Sequence, residues 1–421
     1  MEPPSKRIRT ATDRLSDLPD CLIHNILAFI ESRQVVRWSL LSRRWRHLWR
    51  SMPCLDIDLT VFRHGDRCQD RSCCKRNYAE TKTCKQKVWR PFEEFSNNLM
   101  LLNDVRSLDR LRIHIPGLDS DDRRAIRACS RWVTRGIQCN PTVIDIHVDY
   151  CWSWGSCFFP DLGSTTTSRL TRLLLRNVRL HDGFAEQLRS GCPMLEELSL
   201  VGCCYHFGEI MSRSLRHLII DDVSVREGIV VTAPRLTSLH TSFSTTTCPD
   251  GIRVTDTSSF IKASICVTML CTIDANFSEK LCNILNVMHL QLFGAKTMDT
   301  IQWIQAELPK FHNVRTLLID RCDLKTNTNI QALGRLLQSA PNLEKLTLQN
   351  CEFSDRSDGR SARAKMRHVA LESKNLMSFE CDNLEVIEIK HSKDGNIDEL
   401  FELQMGLWRN LGKTIIKLTK V

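Results

Sequence analysis

Leu195-Glu-Glu-Leu-Ser-Leu200 decides the fold, because the chain keeps repeating it. The pattern, an apolar residue followed by two alternating ones, returns at Leu108–Ile113, Val143–Val148, Leu170–Leu175 and Leu215–Ile220. It returns again at Val287–Leu292, Val314–Ile319, Leu343–Leu348 and Leu384–Ile389, with weaker copies at Leu236-Thr-Ser-Leu239 and Ile265-Cys-Val267. Alternation with period two marks a short strand. From Ile146 to Leu346 the second apolar position recurs every 20–29 residues.

That period is the one at which leucine-rich repeats stack. Each repeat buries its strand only against its neighbours, so eleven copies predict a solenoid with a curved parallel sheet. The returning limbs fit this reading. Phe184–Leu188 and Ile330–Leu337 read as helices, each followed by a proline (Pro193, Pro341) just before the next strand. Elsewhere the limbs read as short and irregular, especially between Leu215 and Leu239. Residues between the inward leucines face outward along the strands. They are the candidates for holding a partner: Arg172 and Arg176, Glu197, His217 and Asp221, His240, His289 and Gln291, Thr316 and Asp320, Lys345 and Gln349. His147, His217, His240 and His289 read as polar residues on the solvent side of strands.

Upstream, residues 13–50 read as two or three short helices. Leu18-Pro19 opens a run with apolar Leu22, Ile23, Ile26, Leu27 and Ile30, and proline suits the start of a helix. Ser32 and Ser42 read as caps of the next two segments. The third segment ends in Trp45, Leu48 and Trp49. So small a unit buries too little surface to be secure alone. Leu15-Ser-Asp-Leu-Pro-Asp20, Ile26-Leu27 and Leu40-Leu-Ser-Arg-Arg-Trp-Arg-His-Leu-Trp49 resemble the F-box of plant F-box/leucine-rich-repeat proteins. The repeats are similar to those that follow the F-box in that family. Residues 381–411 are similar to its C-terminal FBD segment, with a strand, Gly395 and a helix.

The resemblance implies a substrate-recognition subunit of a Skp–cullin–F-box ubiquitin ligase. The F-box would dock on an acidic Skp-type adaptor, and through it on cullin, while the repeats bind an unknown protein substrate. Leu18, Pro19, Ile26, Leu27, Leu40, Trp45 and Trp49 are the residues expected to form the adaptor-binding surface or its immediate support. The expected organisation is an N-terminal disordered arm (1–12), F-box (13–53), a linking strand, polar loop and helix (54–107), irregular repeats (108–350) and an FBD-like cap (351–421). The alternative is an interaction scaffold without a ligase role, associated with nucleic acid.

The 421 residues carry a net charge of +9, and the first 100 hold 19 Lys+Arg against 12 Asp+Glu. A dispersed nucleic-acid surface would extend to the repeats; a local basic patch suits an acidic protein partner. Nucleic acid is therefore not expected as a partner, nor is a membrane, since no apolar run approaches about 18 residues. The N-terminus lacks a secretory pattern, so the 20 cysteines are expected to be free thiols in the cytoplasm or nucleus. Residues 64–87 read as a loop carrying Cys68, Cys73, Cys74 and Cys84. It has no Cys-x-x-Cys spacing, so zinc is not expected. From Pro91, a helix should place Phe92, Phe95, Leu99 and Leu102 on one face. No phosphate-binding loop, nucleophile elbow or zincin motif occurs. No cofactor or catalytic residue is expected; the function expected is binding.

Overall fold

The structure, a computed structural model, describes residues 18–40, 45–63, 82–118, 122–150, 159–162, 167–223, 228–243, 251–255, 258–267, 287–294, 297–298, 301, 308, 310–324, 326–352, 383–391 and 414–420. The chain divides into two compact units, Met1–Pro160 and Asp161–Val421.

The first unit begins with α1 (Asp20–Leu27), α2 (Ser32–Trp38) and α3 (Trp45–Leu48), closed by a tight turn at Trp49–Ser51. Their shared core is Ile23, Leu27, Val35, Leu48 and Met52, with Leu18, Ile30, Trp38, Trp45 and Trp49 packed against it. Ser32 is not the cap expected. It lies inside the helix, fully buried, and its hydroxyl accepts the Asp56 N–H at 2.8 Å. Its role is to tie the helices to the strand that follows. Ser42 lies outside the described residues. Next come β1 (Cys54–Asp58), α4 (Thr60–Arg63), α5 (Lys82–Leu102), β2 (Arg110–Leu118), α6 (Arg123–Gln138) and β3 (Val143–Tyr150). The strands β1, β2 and β3 pair in parallel.

α5 starts five residues before the end of the expected loop and carries Pro91 in its interior. Cys84 thus falls within a helix, while Cys68, Cys73 and Cys74 lie outside the described residues. Phe92 and Leu99 are buried as expected, but Leu102 is exposed. α6 packs so closely on β2 that a Cβ on Gly136 would meet Leu111 Cδ2 at 2.4 Å.

The second unit is the repeat array. Its principal sheet contains β4 (Arg172–Arg176), β5 (Glu197–Val201), β7 (His217–Asp221), β9 (Ser238–Phe243), β11 (Lys262–Val267), β12 (His289–Phe293), β13 (Thr316–Asp320), β14 (Lys345–Gln349), β15 (Val386–His391) and β16 (Ile415–Lys420). Neighbours in that order pair in parallel, so Leu173, Leu198, Leu218 and Leu239 form one buried row. The row continues through Ala263, Leu290, Leu317, Leu346 and Ile387. β11 corrects the sequence register by two residues. Ala263, not Ile265, occupies the row, and Ile265 aligns with Leu292. The repeat is therefore Phe260-x-x-Ala263-x-Ile265, hidden because alanine fills a leucine slot.

Among the described residues, α7 (Phe184–Gly191) and α8 (Asn327–Gln338) are helical limbs. The limbs read as irregular instead build a second parallel sheet from β6 (Glu209–Met211), β8 (Ile229–Thr232) and β10 (Ile252–Val254). Each contributes only three or four residues, too few for a periodicity signal. Gly395 and the expected helix through Leu411 lie outside the described residues.

Among the described residues, the one after the strand is left-handed in six repeats: Asn177, Gly202, Asp222, Gly294, Arg321 and Asn350. Five of these are Gly, Asn or Asp, the types that tolerate positive φ. The turn keeps the ladder running, since Gly202 N–H donates to Asp221 O at 2.9 Å and Arg321 N–H to Gln349 O at 2.9 Å. In three repeats a cysteine follows, and its thiol donates back to the preceding repeat: Cys203 to Leu175 O, Cys322 to Gly294 O, Cys351 to Ile319 O. This is the Asn/Cys position of the repeat pattern. These cysteines therefore serve as donors as well as small apolar residues.

Candidate interaction surfaces

The helical unit presents apolar side chains that its own core does not use. On α1, Ile23 and Leu27 face inward at 1% exposure, whereas Leu22 (46%) and Ile26 (41%) face out. Phe29, one turn on, is 91% exposed, and Leu40 is 83% exposed. Leu22 and Ile26, four apart, share the outward face of α1, and exposed Phe29 follows in the turn just past its end, where its N–H donates to Ile26 O at 3.2 Å. Of the seven residues expected at an adaptor surface, Pro19, Ile26 and Leu40 are exposed. Leu18, Trp45 and Trp49 are half-buried supports packed on the core. Trp45 packs against Trp38, a residue the sequence reading passed over, with ring centres 6.1 Å apart and planes tilted by 54°. Leu27 lies in the core behind that surface, four positions after Ile23 on the inward face. Leu22 and Phe29, exposed beside Ile26, were not among the residues expected there; the four-residue spacing of Leu22 and Ile26 was the available signal. Arg33 is used internally, lying over the Phe62 ring at 3.9 Å.

The strand face of the first unit is a charged network. Asp56 and Asp58 approach Arg112 at 3.0 and 3.5 Å, and His114 meets Asp58 at 3.2 Å. His147 stacks on His114 at 4.6 Å. Burial pushes Asp56 upward, against the pull of Arg112. Asp58 is also partly buried, but hydrogen bonds from Thr60 and His114 outweigh that and hold it below the usual carboxylate range.

The strand face of the second unit carries the predicted partner-facing residues in three rows set by the register. Arg172, Glu197, His217, His289, Thr316 and Lys345 lie in the first row, with Ser238 and Lys262 between them. His240 and Gln291 lie in the second. Arg176, Asp221, Asp320 and Gln349 end their strands. Much of this face is paired along the rows. Arg172 Nε donates to Glu197 at 2.7 Å, His217 shares a hydrogen bond with Ser238 at 2.8 Å, and His289 with Thr316 at 2.7 Å. Lys345 meets Glu388 at 2.7 Å and holds that carboxyl below its ordinary range. Asp320 accepts from Asn350 and Arg321 at 3.2 and 3.4 Å.

Between β5 and β13 the face dips into an open hollow of about 470 Å³. Its lining includes Glu197, His217, Lys262, Arg321, His240, Gln291, Phe293 and Asp320. His240 stacks on Phe293 at 5.1 Å, and burial lowers its pKa. Burial and the nearby Asp221 raise the Cys266 thiol to about 11, which leaves it a poor nucleophile. The hollow therefore joins five of the twelve predicted residues (Glu197, His217, His240, Gln291, Asp320). Arg172, Arg176, Asp221, His289, Thr316, Lys345 and Gln349 lie outside it. Lys262, Phe293 and Arg321 were not among those predicted. Among the described residues, no group of His, Cys, Asp or Glu is placed to hold a metal, and no helix is long and apolar enough to cross a membrane. Cys54, Cys139, Cys192, Cys203, Cys266, Cys322 and Cys351 are in no disulfide.

Comparison with known proteins agrees with this architecture. An F-box domain model matches residues 15–56, and a model described as FBD-associated F-box protein At5g56370, LRR repeats, matches residues 145–260. The chain is 30% identical over 410 residues to the meiotic F-box protein MOF of Oryza sativa subsp. japonica, covering 90% of this chain and 81% of that one. It is 27% identical to the FBD-associated F-box protein At4g13985 of Arabidopsis thaliana, covering 80% and 76%. The F-box/LRR-repeat protein At5g02910 of the same plant is 26% identical, covering 82% and 74%. With its helical N-terminal unit and its parallel array of repeats, the chain belongs to the plant F-box/leucine-rich-repeat family, of the FBD-associated kind.

Proposed function

We propose that this protein is the substrate receptor of a Skp–cullin–F-box ubiquitin ligase. The supporting observation is the exposed stripe Leu22, Ile26 and Phe29, with Leu40, on a unit whose core is already filled. Large apolar residues left in water on a small unit mark a contact surface, and aromatic and apolar anchors carry most interface energy. The Skp-type adaptor covers this stripe, and Leu18, Pro19, Trp45 and Trp49 support it. The strand face of the repeats, centred on the hollow, receives the target protein. The chain does no chemistry itself. It raises the local concentration of the target beside the ubiquitin-loaded enzyme, in the cytoplasm or nucleus. Co-purification with adaptor and cullin tests the reading. Wild type should retain both, and Leu18→Ala with Pro19→Ala should lose both while keeping its repeat-bound partners. Retention of adaptor and cullin at wild-type levels by a folded double variant would remove the reading's support.

A further inference from the structure

α6, which connects the repeat strands β2 and β3, carries a second charged surface. Its buried face is apolar, with Ala125, Ala128, Trp132, Val133 and Ile137 inward. On the opposite face every exposed position is arginine except Thr134 and Gln138: Arg123, Arg124, Arg127, Arg131 and Arg135. The helix contains no acidic residue. Asp122 caps its first turn by accepting the N–H groups of Arg124 and Ala125. Among the described residues, the acid that pairs with this face is Glu93, at 3.0 Å from Arg124 and 4.0 Å from Arg131. Arg127 and Arg135 form no ion pair among the described residues.

This arrangement works against the helix. Like charges four residues apart repel, and arginine in the first turn opposes the helix dipole. An isolated solvated helix would be better served by mixed charges. The spacing says what could offset the repulsion. Arg123, Arg127, Arg131 and Arg135 climb the helix in steps of about 6 Å. An extended polypeptide places every second side chain about 6.7 Å apart on one side, so alternating carboxylates follow the row. Nucleic acid fits less well. A helix reads duplex DNA by entering the major groove, but α6 is packed against α5 and β2 on its other side. Single strands stack on exposed aromatics, whereas Trp132 is buried and donates to Asn97 at 2.8 Å.

We infer that the arginine row of α6 is a docking surface for an acidic polypeptide segment with carboxylates on alternate residues. This holds whether or not the chain is a ligase receptor. The test uses the full-length protein and a fluorescein-labelled twelve-residue peptide of alternating Glu and Ser, followed by anisotropy at two salt concentrations. Arg127→Gln, Arg131→Gln and Arg135→Gln together should weaken binding about tenfold and flatten its salt dependence. The same three positions changed to Lys should keep most of it. Arg213→Gln, Arg235→Gln and Arg253→Gln, an equal loss of charge on the second unit, should change it less than about twofold. Equal effects from the two glutamine triples, or none from the α6 triple, would overturn the site. Tighter binding of a charge-matched DNA oligonucleotide through the same three arginines would overturn the choice of partner.

Discussion

Gly202→Ala tests the repeat turn at its tightest point. Gly202 follows β5 at φ +61°, and an alanine Cβ there would lie 2.0 Å from Asn177 Oδ1 and 3.2 Å from its Cγ. Two costs add. Holding an L-residue in the left-handed region costs about 1–2 kcal/mol. The clash costs less than its distance suggests, because Oδ1 ends a side chain that can rotate; about 1 kcal/mol is reasonable for an off-rotamer shift. Alanine's lower unfolded-state entropy returns about 0.5 kcal/mol. The net loss should be about 2 kcal/mol, read as a shift in the urea midpoint. In an Asn177→Ala background the clash disappears, and the same substitution should cost only about 1 kcal/mol. A Gly202→Ala protein within about 0.5 kcal/mol of wild type would refute the turn geometry as a stability determinant.

Arg321 occupies the same turn position at φ +56°, so Arg321→Asn should stabilise by about 0.5–1 kcal/mol, its exposed contact with Asp320 contributing little; urea denaturation measures this. Leu346→Ala, at a fully buried site in the central row, should cost about 3 kcal/mol in the same assay. Burial raises the Cys192 thiol to about 11 and the Cys203 thiol to about 12, from an ordinary value of 9.0. The folded state therefore holds these protons longer than the unfolded one. Their contribution is complete below pH 9 and is lost as pH rises from about 9 to 12. Denaturation midpoints across that range should fall less steeply in Cys203→Ala than in wild type.

Most of the repeat array was legible because period two and a recurring leucine are strong signals when copied many times. Legibility failed where a slot changed type. Ala263 and Thr241 fill leucine positions, and the second sheet is built from three- and four-residue strands. The left-handed turns show only faintly in sequence, since Arg321 breaks the Gly/Asn/Asp rule that the other five follow. At the F-box, composition marked the right stretch but not the direction of its side chains. Leu27 and Ile26 are adjacent and both apolar, yet one is core and the other surface. Which face of α1 is left outward is decided by what packs behind it, including Met52 and Leu48 from the end of the helical unit. The strand-face residues were found by alternation alone, but the dip that gathers His240, Phe293 and Arg321 depends on side-chain sizes in neighbouring repeats.

The most direct test of the ligase reading is the affinity of the purified chain for a Skp-type adaptor, measured by calorimetric titration. Ile26→Ala with Phe29→Ala should weaken it by about thirtyfold or more, equivalent to about 2 kcal/mol. Because both side chains lie outside the Ile23–Leu27–Val35 core, the unfolding midpoint should stay close to that of wild type. Unchanged adaptor affinity in this folded double variant would contradict the assignment of the stripe as the adaptor surface.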